Sequence, residues 1–250
     1  MRPLDDVATM VGRELRHAVR YPVIIVVSVA LPVLMLLLFV YVFGGLSVGP
    51  GNYVDFLTPG ILMMTIAAGS APSAISVATD AKEGIIDRFR AMPIARGAVL
   101  AGHVAGGLLR TMLAVVAVTG TAVVAGFRPS AGPAGWLAAA GVATAFAFAL
   151  TWLSVGVGLA ARTPTGANSA AQLIATVLPF LSSAFVPPAS ASRGIRWFVE
   201  HQPMTPVVDS LRALLTGAPA GGSVGIALAW CTGTATVGYL WAVRSYRRDA

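Results

Sequence analysis

The charged residues of this chain gather in short clusters, and between them lie six windows that contain none: Tyr21–Val54, Phe56–Thr79, Thr111–Phe127, Pro129–Ala161, Thr163–Ser192 and Ala213–Val243. They run to 34, 24, 17, 33, 30 and 31 residues. A helix that crosses a bilayer needs ~20 largely apolar residues, so the pattern predicts six spanning helices, near 23–43, 57–79, 100–126, 136–161, 168–186 and 222–243. The third window is the shortest. The apolar run Val99–Leu109 extends it and leaves Arg110 near the cytoplasmic end, where a long side chain can snorkel.

Three further segments are too short or too polar to span. Leu4, Val7, Val11, Leu15, Ala18 and Val19 recur at helical spacing opposite Arg13, Glu14, Arg16, His17 and Arg20, which predicts an amphipathic helix lying on the membrane surface. It either anchors the chain or passes motion into the first span. In the connection Asp80–Gly97, Ile85, Ile86, Phe89 and Met92 form an apolar face beside Asp87, Arg88 and Arg90, and Pro93 ends the helix. Such a helix fits a partner's groove, or else lies against the bilayer. The third segment, Pro187–Gly217, holds Pro187, Pro188, Pro203 and Pro206 around two short helical stretches, Ile195–His201 and Pro206–Leu215. Each is too short to cross ~30 Å. They read as a re-entrant cap over the outer end of a pathway, with Arg193, Arg196, Glu200, His201, Asp209 and Arg212 near the interface. An ordinary external loop is the alternative.

Composition excludes a soluble domain. Hydrophobic residues make up 56 % of the 250, charged residues 11 %, and the mean hydropathy is +0.79, where a soluble domain carries roughly 25 % charge. The net charge of +7 is sorted by side. Twelve basic residues fall in the N-terminal segment, the 80–97 connection, the fourth-to-fifth connection and the tail, and four on the opposite side, with Arg110 apart. The positive-inside rule puts both termini in the cytoplasm. The excess points to orientation and anionic lipid, not nucleic acid. The expected architecture is therefore an all-α integral membrane protein: an interfacial segment at 1–21, a six-helix core at 22–243 and a cytoplasmic tail at 244–250.

The chain carries little chemistry of its own. Its only lysine, Lys82, is followed by Glu83, so there is no phosphate-binding G-x-x-x-x-G-K-[ST] loop. His17, His103 and His201 fall on different segments, and the sole cysteine, Cys231, lies in an apolar helix as a packing residue. The predicted span cores lack Asp and Glu, which weighs against proton-coupled transport. Ser and Thr in spans mostly bond their own helix. The exceptions singled out for a cargo path are Gln172 and the Ser182–Ser183 pair, with Phe180 and Phe185 as an aromatic surface. A pathway without its own energy source must be driven from outside the chain.

The run YVDFLTPGILMMTI at Tyr53–Ile66, then EGIIDRFRAMPIARGAVL, then LPFLSSAFVPPASASRGIRWFVEHQPMTPVVDSLRALLTG, resembles in that order the permease subunit of type-2 ATP-binding-cassette exporters, and among them the daunorubicin/doxorubicin-resistance-type permeases of actinobacteria. One departure is Val186-Pro187-Pro188, where a single aromatic–Pro is commoner. The resemblance implies a non-enzymatic permease in the plasma membrane that pairs with a second copy of itself and with two separate ATPase subunits, which bind ATP and Mg²⁺. It implies that Glu83, Ile85, Ile86, Asp87, Arg88, Phe89 and Arg90 form the helix that docks on the ATPase. Residues 4–20 would be an elbow helix, and Pro187, Pro188, Glu200, Pro203, Pro206, Asp209 and Arg212 would belong to the external re-entrant pair. The cargo would be an amphipathic drug, antibiotic or lipid. Two other functions remain compatible with the residues: a membrane scaffold that recruits a soluble partner through 80–97, and an ATP-independent channel.

Overall fold

The computed structural model describes residues 22–43, 53–85, 98–161, 163–184, 193–219 and 221–248. The amphipathic segment 4–20, Ile86, Asp87, Arg88, Phe89 and Arg90 of the docking helix, and Phe185, Pro187 and Pro188 lie outside them. Eight helices are described: α1 (Pro22–Phe43), α2 (Tyr53–Lys82), α3 (Ala98–Val124), α4 (Pro133–Ala160), α5 (Pro164–Phe180), α6 (Arg193–His201), α7 (Met204–Thr216) and α8 (Ser223–Arg248). Each predicted span has its helix, and α6 and α7 occupy the two short stretches foreseen in the cap.

The helix ends follow from local chemistry. Pro133 and Pro164 open α4 and α5, where a missing N–H costs nothing. The Thr163 hydroxyl accepts the Gly166 N–H at 3.1 Å and caps α5. Gly217 ends α7 in the left-handed region at φ 68, with the Ala218 N–H bonded back to the Ala213 carbonyl. Gly84, at φ 69, stops α2 two residues after Lys82. Within the helices Thr65, Thr119, Thr121 and Thr151 donate to the carbonyl four residues back, at 2.7 to 3.0 Å, so these hydroxyls are satisfied by their own helix.

Among the described residues, four helices are long and apolar enough to cross a membrane: Tyr53–Lys82, Val99–Val124, Pro133–Ala160 and Ser223–Tyr246. Two of them, α2 and α4, form the centre, with 72 % of their apolar windows buried, against 28 % for α3 and 22 % for α8. Helix α2 is packed by α1, α3, α4, α5 and α7, and α4 by α2, α3, α5, α7 and α8. Small residues permit that density. A β-carbon on Gly158 of α4 would lie 2.4 Å from the Ala74 carbonyl oxygen of α2, and one on Gly238 of α8 would lie 2.7 Å from the Leu153 nitrogen of α4.

Two expectations change. Arg110 stands halfway along α3, about 18 Å from Ala98 at the helical rise, not near the end that the 80–97 connection enters, although the helix begins only two residues before the start expected for it. The last helix also runs through Arg244 to Arg248, so those residues of the expected tail continue α8.

Candidate functional site

The richest polar site lies where α7 closes one end of the bundle. Residues Met204 to Val208, Ser210, Leu211 and Leu215 of α7 are buried against the α2 and α4 layer. That burial turns the polar face of α7 towards the start of α2 and the end of α5. Arg212 Nη1 lies 3.4 Å from Asp209 Oδ1, while Nη2 donates to the carbonyls of Ser183 at 3.4 Å and Phe56 at 3.5 Å. The guanidinium also sits over the Phe56 ring, 4.5 Å from its centroid. Burial pushes the Arg212 guanidinium below its ordinary value and Asp209 pulls it back up. Asp209 in turn accepts the Ser183 hydroxyl at 2.9 Å.

Around this fork the cap satisfies the end of α5. The Ser183 N–H donates to Thr205 Oγ1 at 3.3 Å, Gln202 Nε2 donates to the Leu181 carbonyl, and Ser182 Oγ donates to the Pro179 carbonyl at 2.6 Å. On the other side the α3–α4 connection is pinned. Its Arg128 N–H donates to Asp55 at 3.0 Å, Ala131 N–H to the Leu215 carbonyl at 3.2 Å, and Ser130 Oγ to the Thr216 carbonyl. One small cluster therefore ties α2, the α3–α4 connection, α5 and α7 together.

Of the residues chosen for a cargo path, Ser182 and Ser183 prove to be 0 % and 3 % exposed. The Ser183 hydroxyl is bonded to Asp209 of the cap, and the Ser182 hydroxyl to the Pro179 carbonyl at the end of α5. Gln172 and Phe180 do face outward on α5, beside Leu173 and Val177. Among the cap residues, Pro203, Pro206, Asp209 and Arg212 come together at α7, and Glu200 lies in α6. On α6, His201 stacks on exposed Trp197 with ring centroids 5.0 Å apart, a pairing suited to a membrane–water interface.

At the opposite end, Glu83 is exposed in the turn closed by Gly84, and Ile85 is the last described residue before the segment expected to dock. Sequence reasoning missed the pair beside it. Asp80 was assigned to the connection, yet it lies inside α2, and its carboxylate is 3.2 Å from His103 Nε2 on α3. The available signal was the spacing: Asp80 follows Ser73 and Ser76 on the helical face that meets α3. Cys231 is 3 % exposed in α8, as a packing residue should be.

Residues 5–216 match the sequence pattern of the ABC-2 type transporter family. The chain belongs to that family. It is a transmembrane permease subunit of the ABC type and a multi-pass protein of the bacterial inner membrane. It is 29 % identical to the daunorubicin resistance ABC transporter permease protein DrrB1 of Streptomyces coeruleorubidus, over 96 % of this chain and 88 % of that one. It is 26 % identical to the probable doxorubicin resistance ABC transporter permease protein DrrC of Mycobacterium tuberculosis, over 95 % of this chain and 86 % of that one. The ABC-2 match includes the cap, since it runs to the last residue of α7.

Proposed function

We propose that this ABC-2 permease forms the membrane path of an ATP-driven exporter for amphipathic drugs or antibiotics. Two copies of the chain pair with two ATPase subunits. Each copy crosses the membrane six times with both termini inside. Helix α1, at 22 residues and about 33 Å, and α5, at 17 residues and about 25 Å, supply the two spans beyond the four already counted. The concentration of basic residues at the 80–97 end supports a cytoplasmic position for that end.

The observation that carries the reading is the cap. A polar latch centred on Arg212 closes the end of the bundle opposite the docking connection. A path closed at its outer end must be opened by work done elsewhere, and the chain has no nucleotide site of its own. ATP binding closes the two ATPases, Glu83 to Arg90 move with them, and α2 and α3 follow because they are continuous with that segment. Cargo enters from the inner leaflet along the outward strip of Gln172 and Phe180 on α5, with Phe185 beyond it, and leaves when the cap of Pro187, Pro188, Glu200, Pro203, Pro206, Asp209 and Arg212 is displaced. The drug-resistance names of the relatives support a drug-like cargo. The test is ATP-dependent accumulation of doxorubicin in inside-out vesicles holding the permease and its ATPase. Uptake that persists without ATP would make the chain a channel.

A further inference from the structure

The interface between α2 and α3 keeps one antiparallel register over most of its length. A β-carbon on Gly69 would lie 2.8 Å from Thr111 Oγ1, and one on Gly107 would lie 2.3 Å from Ser73 Oγ. Steps of four along α2 thus meet steps of four back along α3. Continued by one step, the register brings the Ser76–Asp80 turn to His103, and there the contact changes from small residues to a polar pair. His103 Nε2 lies 3.2 Å from Asp80 Oδ2 and Nδ1 lies 3.5 Å from Ser76 Oγ. Donation from Nε2–H to the carboxylate leaves Nδ1 to accept the Ser76 hydroxyl, which fixes the ring on both sides. Asp80 and His103 are 8 % and 5 % exposed.

Packing alone does not explain such a pair. Desolvating a carboxylate is expensive, and apolar residues of the same volume are often as stable or more so. What a buried pair supplies is a fixed register between two elements. Its place is informative: Asp80 stands four residues before the left-handed Gly84 that ends α2, and His103 five residues after Ala98 begins α3. The pair therefore joins the two roots of the docking connection. Below it the glycine at 84 frees the backbone direction, and above it the close Gly–Ser and Gly–Thr contacts take over.

We propose that Asp80 and His103 are positioning residues that lock α2 and α3 into one rigid hairpin, so that displacement of the docking segment moves both helices together instead of shearing one past the other. This rests on the exporter reading for its functional consequence. Without the lock, ATP is still hydrolysed but less of the motion reaches the cap.

The test uses the full permease–ATPase complex in proteoliposomes, with doxorubicin as the probe, for Asp80→Asn, His103→Gln and the exchange Asp80→His with His103→Asp. Doxorubicin moved per ATP is expected to fall about fivefold or more in each single variant, with basal hydrolysis within about twofold of the parent, and to recover largely in the exchange. In parallel, spin labels at Ala81 and Ala101 in a Cys231→Ser background report the separation of the two roots. A distribution that broadens in the single variants and narrows in the exchange is expected. An unchanged distance distribution, or unchanged doxorubicin per ATP, overturns the proposal. If the parent complex itself moves no doxorubicin, the exporter reading fails, and the distance distributions still decide whether the pair locks the hairpin.

Discussion

Arg212 stacks on the ring of Phe56 and donates to that residue's carbonyl oxygen, so the cap helix is fastened to the first turn of α2 by a single side chain. Two further acceptors, the Ser183 carbonyl and the Asp209 carboxylate, share the same guanidinium. A planar fork with several donors suits this geometry and a lysine does not.

Arg212→Ala is expected to loosen the cap at a cost of about 1–3 kcal/mol, because it strips donors from buried carbonyls as well as from Asp209. Arg212→Lys should recover less than half of that loss. Thermal unfolding of the purified permease in nanodiscs measures the first effect. Faster thiol labelling at Ser183→Cys, in a Cys231→Ser background, measures the second.

Gly158 and Gly107 both sit at close helix crossings, but they differ in what opposes a side chain. At Gly158 the obstacle is the Ala74 backbone, with its oxygen 2.4 Å away. At Gly107 the nearest atom is the Ser73 hydroxyl, which can rotate. Gly158→Ala should therefore destabilise by about 1–3 kcal/mol or more, while Gly107→Ala should cost less and be partly rescued by Ser73→Ala. Unfolding curves for the two single variants and the rescued double variant check the ranking.

Gly84 ends α2 in the left-handed region with no atom within 4 Å of where its β-carbon would stand. An alanine there meets no clash, only the backbone cost of roughly 1–2 kcal/mol for an L-residue in that region. Continuing α2 as a helix relieves that cost and re-aims the docking segment. Gly84→Ala is expected to lower ATP-dependent doxorubicin transport, and Gly84→Asn, which tolerates the conformation, to retain most of it.

Phe89→Ala and Arg88→Glu test the proposed docking face itself. Each is expected to reduce co-purification of the ATPase, or its drug stimulation, while the permease still inserts. Pull-down of a tagged permease with the co-expressed ATPase provides the measurement.

Much of the fold was legible because the bilayer makes it so. A helix must be long and largely free of charge to cross, so the spans drawn inside the charge-free windows, from 23–43 to 222–243, fall within about six residues of the helix ends, although the windows themselves overrun or stop short by ten or more. The stretch expected at Pro206–Leu215 likewise came within two residues of α7, which runs from Met204 after Pro203 to Thr216 before Gly217. What the one-dimensional pattern hid was the meeting of helices. Ser182 and Ser183 read as path-lining because span hydroxyls carry no partner in a sequence, and only the fold brings Asp209 to Ser183 and buries Ser182 against the Pro179 carbonyl. Asp80 read as the first residue of a connection because a charge ends an apolar window, although its helix continues to Lys82 and His103 waits across the interface. Arg110 read as near an end because the charge-free window begins only at Thr111, although the helix itself starts twelve residues before Arg110 at Ala98.

The most direct test is ATP hydrolysis by the permease reconstituted with its ATPase in lipid nanodiscs, measured across a panel of amphipathic drugs that includes doxorubicin and daunorubicin. The account predicts drug-stimulated hydrolysis that disappears in Phe89→Ala and survives in the exposed-site control Gly120→Ala. An assembled complex whose hydrolysis ignores every drug in the panel, with no ATP-dependent movement of any of them, would contradict it.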